Sequence, residues 1–292
     1  MRCSTVTETI VRSPKLDEKT SFYQVYGTGI PNVDSLTFDR FSRWWNRSKV
    51  QGDLPNLWRV ATVDEQVVGI AINSVLESLG WGAIWELVVD REWRNQGIGT
   101  SLVLESEQAL LKQNPNLTHF VVGVKVHNPR SIPFVERLGY GIQSLVLRLD
   151  GDVPHRLEEQ ELNVNIARLD DIPTLLHLVP DTYWGHRDHK TLEYSIRGGN
   201  CYVMREQSSN MVVGFVRFEY DPDLVDTTII SFSYRQGYGI SVIEATLEEV
   251  ATRRAIFWVQ DKHEEILDYL YAEDFQRAEA EFVARKRVRH LL

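Results

Sequence analysis

Cysteine is nearly missing from this chain: Cys3 and Cys201 are the only two in 292 residues. Two distant thiols make no disulfide framework and no metal-ligand spacing, which excludes a stapled secreted scaffold and fits a reducing compartment. No run approaches the ~20 apolar residues of a membrane span. The opening Met1-Arg2-Cys3-Ser4-Thr5-Val6-Thr7-Glu8 lacks the apolar core of a signal peptide. The expectation is a cytoplasmic protein. A basic excess is missing too. The net charge is −9, and residues 1–150 hold 16 of the 32 basic and 16 of the 41 acidic residues, leaving 16 and 25 for residues 151–292. An acidic second half argues against nucleic acid as the main partner. It serves solubility, or steers a cationic amine. What is present is ordinary for a globular chain, 43% hydrophobic and 25% charged, and long enough to bury two cores.

The most informative run is Trp93-Arg94-Asn95-Gln96-Gly97-Ile98-Gly99-Thr100, between a strand-like stretch, Ala83 to Val89, and a helix-like one, Ser101 to Leu111. Two glycines one residue apart let the backbone turn tightly and leave its N–H groups bare. The helix that follows adds the positive end of its dipole, so the loop suits phosphate oxygens. A dinucleotide fingerprint needs a third glycine where Leu102 stands, and a triphosphate loop needs a lysine after Gly99, where Thr100 stands.

Arg-x-x-Gly-x-Gly after a strand closely resembles the coenzyme A pyrophosphate loop of the GNAT superfamily of N-acetyltransferases. Downstream, Thr118 to Val126 reads as a buried strand, and Asn128-Pro129-Arg130-Ser131 opens a helix ending in Arg137-Leu138-Gly139-Tyr140. The family commonly shows an Asn-x-x-Ala segment and a Leu-Gly-Phe ending at this separation. The resemblance implies an α/β (α+β) fold, a mixed and mostly antiparallel central sheet flanked by helices, with acetyl-CoA as co-substrate and no metal. It also implies a cofactor site: Arg94, Asn95, Gln96, Gly97, Ile98, Gly99 and Thr100 around the pyrophosphate, Leu87, Val88 and Val89 along the pantetheine, and Asn128 after the next strand.

An internal repeat is legible. Val67-Val68-Gly69-Ile70-Ala71 returns as Val212-Val213-Gly214-Phe215-Val216, and Gln96-Gly97-Ile98-Gly99 as Gln236-Gly237-Tyr238-Gly239. Ile10-Val11-Arg12 and Ile166-Ala167-Arg168 each read as a first strand. The expectation is two tandem GNAT-like domains, residues 1–150 and 161–292, joined through the polar stretch from Asp150 to Glu161, an arrangement similar to mycothiol synthase-like enzymes. By motif alignment the second half puts Tyr234 at the family arginine, with Arg235 one residue away. It lacks the asparagine pattern after its last strand and puts Asp274 where Gly139 stands. It therefore reads as a degenerate cofactor binder that supplies an acceptor wall or a structural support.

The remaining pattern predicts helices over Thr37–Trp45, Thr100–Lys112, Ile240–Arg254 and Glu264–Ala272. Strands are predicted over Trp58–Ala61, Val67–Val75, Trp81–Asp90, Leu162–Arg168, Cys201–Glu206, Met211–Tyr220, Thr227–Ser233, Ala255–Gln260 and Ala278–Val288. Asp64-Glu65 is a hairpin turn. Arg285, Lys286, Arg287 and Arg289 read as decoration of an exposed strand face.

Direct acetyl transfer needs a base to take an amine proton, N–H groups on the carbonyl, and an acid for the departing thiolate. Glu86 is the candidate base, a carboxylate inside an apolar strand; strict alternation would instead turn it to solvent. His127, at a strand end, is a second candidate. The family's acid, a tyrosine seven residues after Asn128, is replaced by Val135, with Phe134 beside it. Tyr140 reads as core; Tyr183, Tyr194, Tyr269 and Tyr271 are possible donors. Trp44, Trp45 and Trp184 read as core or as acceptor-pocket walls. The function implied is an N-acyltransferase acting on a primary amine of a small acceptor, as monomer or homodimer. A catalytically inactive acyl-CoA sensor or scaffold, or an interaction protein, stays open beside it.

Overall fold

The computed structural model describes residues 8–29, 37–154, 161–178, 188–221 and 223–289. Among these the chain forms two compact units. One draws on Met1–Gly123, Phe134–Gly141 and Arg285–Leu292, the other on Val124–Pro133 and Ile142–Ala284. Cys3, Tyr183 and Trp184 lie outside the described residues.

The first half runs β1 (Ile10–Arg12), α1 (Lys19–Gly29), α2 (Phe38–Gln51), α3 (Asp53–Asn56), β2 (Arg59–Val63), β3 (Gln66–Leu76), β4 (Trp81–Val89), α4 (Ile98–Gln113), β5 (His119–Lys125), α5 (Ser131–Arg137) and β6 (Gly141–Asp152). The second half repeats the succession: β7 (Leu162–Ile166), α6 (Ile172–Leu176), α7 (His189–Arg197), β8 (Cys201–Glu206), β9 (Val212–Tyr220), β10 (Thr227–Tyr234), α8 (Gly239–Glu249), β11 (Arg254–Gln260), α9 (Glu264–Ala272) and β12 (Gln276–Arg287). In the first unit the strand order is β1-β2-β3-β4-β5, antiparallel except for β4 and β5. In the second, β6-β11-β10-β9-β8-β7 is antiparallel except for β10 and β11. The mixed α/β architecture expected from the sequence is present in both.

Local chemistry accounts for the elements. Thr37 caps α2, its hydroxyl accepting from Arg40 N–H at 3.2 Å, and Gly52 ends it at φ +82° with its N–H returned to Lys49 O. Asp64 and Glu65, both at positive φ, form the two-residue hairpin turn that matches strand twist. Phe41 and Trp45 of α2 are buried with Phe22 of α1 and Trp58, ring centroids 5.4–5.8 Å apart. Trp44 sits at the margin of this cluster, edge-on to Trp58 at 5.3 Å. Full burial of such side chains is worth about 1.5–3 kcal/mol each. Both repeated glycines lie under a helix. A Cβ on Gly69 would stand 2.9 Å from Leu102 of α4, and one on Gly214 would stand 2.4 Å from Val242 of α8. The repeat is therefore a repeat of helix-on-strand packing.

Three expectations need correction. α8 stops at Glu249 rather than Arg254; Val250 is already extended, and Thr252 turns the chain with its hydroxyl on Arg254 O. β6 runs through Asp152, into the stretch read as a link. Gly151 there serves close approach: its Cβ would meet the Phe275 ring at 2.6 Å. Lys286 is not decoration. Its ammonium binds both carboxylate oxygens of Glu107, at 2.7 and 2.8 Å, over the Tyr140 ring, while Arg285 lies over the Trp81 ring. Tyr140 is core as expected, 3% exposed, with its hydroxyl donating to Glu107 at 2.8 Å.

Candidate functional site

The antiparallel ladder between β3 and β4 pairs Ile72 with Glu86 but Asn73 with Ile84, so Trp85 is an extra residue, a β-bulge. The bulge resets alternation. Asn73 donates to Ser106 on α4, so Ser74 and Ile72 face the other way, toward α1. Trp85 donates to Ser74, and Glu86 pairs with Ile72. Trp85 and Glu86 thus share the α1 face, where strict alternation would have parted them. Glu86 is half-buried there, accepting from the Tyr26 hydroxyl at 3.4 Å. Leu87 and Val89 turn to the opposite face and pack with Ile98 and Leu102 of α4, while Val88 is buried on the α1 side.

The parallel ladder of β4 with β5 runs from Trp81↔His119 to Ile84↔Val122. Glu86 to Val89 lie past its last pair, so on that side their backbone groups have no ladder partner in β5.

The connection from β4 to α4 is built of tight turns. Asp90 caps a short 3₁₀ turn over Arg91–Trp93, and Arg94 donates from Nε to Val89 O at 2.8 Å, which ties the arginine to the strand end. Asn95 at φ +64° and Gly97 at φ +84° are both left-handed. Gly97 caps α4 without a side chain, and the first helical amide given a partner is Ser101 N–H, on Gly97 O at 3.1 Å. The amides of Ile98, Gly99 and Thr100 belong to the first turn, which α-helical bonding leaves without intrahelical acceptors. No acidic residue stands in that turn. A Cβ on Gly97 would meet nothing within 4 Å, and one on Gly99 would stand 3.4 Å from Phe134 and 3.8 Å from Val89. Arg94, Asn95, Gln96 and Gly97 are exposed, Gly99 and Thr100 half-exposed, and Ile98 is anchored in the core at 2% exposure. The result is an open, positively polarised helix start with no side-chain cap.

The other candidates fall elsewhere. His127 and Asn128 are exposed in the turn after β5, in the segment that belongs to the second unit, and Asn128 opens the α5 turn by accepting from Ser131 N–H at 3.0 Å. Val135 is buried at 4% exposure. Tyr194 and Tyr271 are exposed, and Tyr269 packs at the edge of the second unit's core. Cys201 is fully buried, and that burial pushes its thiol up to about 12. Tyr26 was missed from the sequence because α1, with its aromatics on consecutive turns, carries no strong periodic signal and lies sixty residues from its partner.

In the second unit the β10–α8 connection is residues 235–238, against 90–97 in the first. Strand register equates Tyr234 with Val89, because Gly214 pairs with Tyr234 as Gly69 pairs with Val89. The connection is four residues shorter, and its one arginine, Arg235, directly follows the strand. A Cβ on Gly239 would meet Ile266 at 2.8 Å, Glu265 Oε1 at 2.9 Å and the Tyr234 ring at 3.0 Å. The start of α8 is therefore filled by the unit's own side chains, including a carboxylate. Tyr234 shares a 2.6 Å hydrogen bond with His263 Nδ1. Burial, with Glu265 nearby, pushes the Tyr234 phenol up to about 12; burial, with Lys262 nearby, lowers His263.

No group of three or more His, Cys, Asp or Glu that could hold a metal occurs among the described residues. None of their helices is long and apolar enough to cross a membrane.

Comparison with known proteins supplies the family. The acetyltransferase (GNAT) family model matches residues 20–140. No curated protein matches in sequence. Among solved structures, a GCN5-related N-acetyltransferase from Sphaerobacter thermophilus superposes with a TM-score of 0.70 at 14% identity, covering 97% of both chains. A tandem GNAT protein from the clavulanic acid biosynthesis pathway gives 0.63 at 12% identity, covering 96% of this chain and 98% of its own. A glucosamine N-acetyltransferase region of a fungal multi-domain enzyme gives 0.70 at 15%, covering 96% of this chain and 38% of its own. At these identities the likeness is one of fold, and it spans the whole chain. Residues 20–140 match the GNAT acetyltransferase family, and the solved structures share the fold of the whole chain.

Proposed function

We propose that this chain is an acetyl-CoA-dependent N-acyltransferase that moves an acetyl group directly to a primary amine of a small acceptor, with the first unit as the cofactor-binding and catalytic domain. The observation that carries this is the open start of α4: left-handed Asn95 and Gly97, unclaimed first-turn amides and Arg94 tied to the strand end. The amides from Gln96 to Thr100 hold the pyrophosphate; Leu87, Val88 and Val89, past the end of the β4–β5 ladder, lie along the pantetheine.

In the transfer, the neutral amine's lone pair attacks the thioester carbonyl, the C–S bond breaks with its pair leaving on sulfur, and the proton shed by the new amide nitrogen ends on that thiolate. An alkylamine with a pKa near ~10.4 arrives protonated, so a base must take its proton. Glu86 fills that role, on the face where the bulge turns it. Tyr26 is a positioning residue that holds the carboxylate through its hydroxyl. The second unit, with its α8 start filled by Glu265, Ile266 and Tyr234, is the non-binding half, an acceptor wall or support. Aminoacyl-thiol precursors, amino sugars and peptide amines all satisfy the chemistry.

Val135, buried where the family carries its acid, favours one second reading: an acyl-CoA-binding sensor that does not turn over. Isothermal titration with acetyl-CoA, paired with thiol-release assays on an amine library, separates the two. Binding with turnover supports the enzyme; binding without turnover on any amine supports the sensor; no binding defeats both.

A further inference from the structure

The ladder between β3 and β4 changes register once. From Leu76↔Trp81 to Asn73↔Ile84 it keeps one register, from Ile72↔Glu86 to Gly69↔Val89 a second, and Trp85 is the residue left over. Were the first register simply continued, Glu86 would stand opposite Ala71. Ala71 is 0% exposed and packs with Ile98 and Leu102 of α4, a costly place for a carboxylate. One extra residue in β4 avoids that and keeps Leu87 and Val89 over α4.

Apolar packing does not decide which residue is the extra one. With Glu86 in the bulge and Trp85 opposite Ile72, every other pair of the ladder would be unchanged. One contact separates the two arrangements. The Trp85 indole N–H donates to Ser74 Oγ at 2.5 Å. Ser74 is paired with Ala83, two residues back along β4, so the bond holds Trp85 toward that end of the strand. The place opposite Ile72 is left to Glu86, which there accepts from the Tyr26 hydroxyl at 3.4 Å. Ser74, Trp85 and Glu86 are half-buried, so the bond that holds them is partly sheltered from water.

Resting on the assignment of Glu86 as base, we propose that Ser74 and Trp85 are positioning residues. Their hydrogen bond fixes which residue of β4 bulges, and so holds the Glu86 carboxylate on the α1 face for proton transfer. Neither side chain touches the reacting atoms. The bond biases two arrangements of one short stretch, so its loss shifts them by at most the worth of one hydrogen bond and leaves the start of α4 as it is.

The test begins with crystal structures of the full chain carrying Ser74→Ala or Trp85→Phe. The expected result is residue 85 opposite Ile72, with Glu86 in the bulge and its contact with Tyr26 lost. Glu86 still opposite Ile72 in both variants overturns the proposal. Thiol release from acetyl-CoA, with glucosamine and glycylglycine as amine probes, gives the second readout; the crystal structures decide where neither probe is turned over. Each variant should lower kcat about three- to tenfold with the KM for acetyl-CoA kept. Ser74→Thr, which retains the hydroxyl, should recover most of the Ser74→Ala loss. On a Glu86→Gln background Trp85→Phe should add no further loss, because it acts through Glu86. Losses that multiply on that background, or a KM for acetyl-CoA that rises in step, mark a general structural role and overturn the proposal. Full kcat in Glu86→Gln alone removes Glu86 as base and the proposal with it. Full kcat in Ser74→Ala and Trp85→Phe beside a slow Glu86→Gln removes only the positioning role.

Discussion

The two strand-to-helix junctions, Val89 to α4 and Tyr234 to α8, share a glycine-x-glycine frame and differ in what fills it. In the first, left-handed Gly97 has open space around it, Gly99 has only ordinary contacts, and eight residues carrying Arg94 make the turn. In the second, Gly237 is equally left-handed at φ +88°, but four residues make the turn and Glu265, Ile266 and Tyr234 crowd Gly239. A helix start is a positive seat in either case. The first has open space at Gly97, while the second has the Glu265 carboxylate beside Gly239. The same backbone frame is therefore open in one unit and filled in the other.

The largest expected effect breaks this contrast directly. Gly97→Asp places a negative side chain at a left-handed position, a strain of roughly 1–2 kcal/mol, and puts its charge where the pyrophosphate is proposed to sit. It should weaken acetyl-CoA binding more than about a thousandfold by calorimetry, while Gly237→Asp leaves it unchanged. Loss from the Gly237 change alone would reverse the assignment of the two halves.

Next in size is the pair of strand positions matched by register, Glu86 in the first unit and Ser231 in the second. Glu86→Gln should lower kcat about a hundredfold, the usual worth of a general base, with acetyl-CoA affinity kept and the acid limb of the pH–rate profile lost. Ser231→Ala should leave turnover as it is. Tyr26→Phe should lower kcat by a smaller factor and leave the KM for acetyl-CoA alone.

Stability sharpens the same comparison. Gly239→Ala pushes a methyl into contacts of 2.8–3.0 Å and should destabilise by about 1–3 kcal/mol in denaturant melts. Gly99→Ala meets its nearest atom at 3.4 Å and should cost less than about 1 kcal/mol.

The smallest effect is a pH dependence. His263 has its folded pKa lowered by burial, so the unfolded chain binds the proton more readily. Its contribution is fully present above the unfolded value near ~6.5 and is lost as pH falls from there through the lower folded value. His263→Asn should flatten that slope below about pH 6.5 in thermal melts. An unchanged slope would remove His263 as its source.

Much of the fold was legible because it rests on local rules. Alternation marks β3, β4 and β9, the Asp64-Glu65 pair marks a hairpin, and Glu264–Ala272 is helix to the residue. The tight turn before α4 was legible because two glycines one residue apart stand at a strand-to-helix junction. α1 and β6 were not. α1 is short of periodic signal, and β6 ends in Asp-Gly-Asp, a link by composition that is strand only because the Phe275 ring needs Gly151. The direction of Glu86 was equally hidden, since a bulge at Trp85 depends on the pairing of β3 with β4.

The sequence by itself determined that residues 20–140 resemble the GNAT family and where the turn before α4 falls, because turn chemistry and helix starts are written in neighbouring residues. Only the tertiary structure decided which of the two loops is vacant, which face Glu86 takes, and that Lys286 pairs with Glu107. Each of those depends on what distant segments bring within 3 to 4 Å, and nothing in a local pattern records that distance.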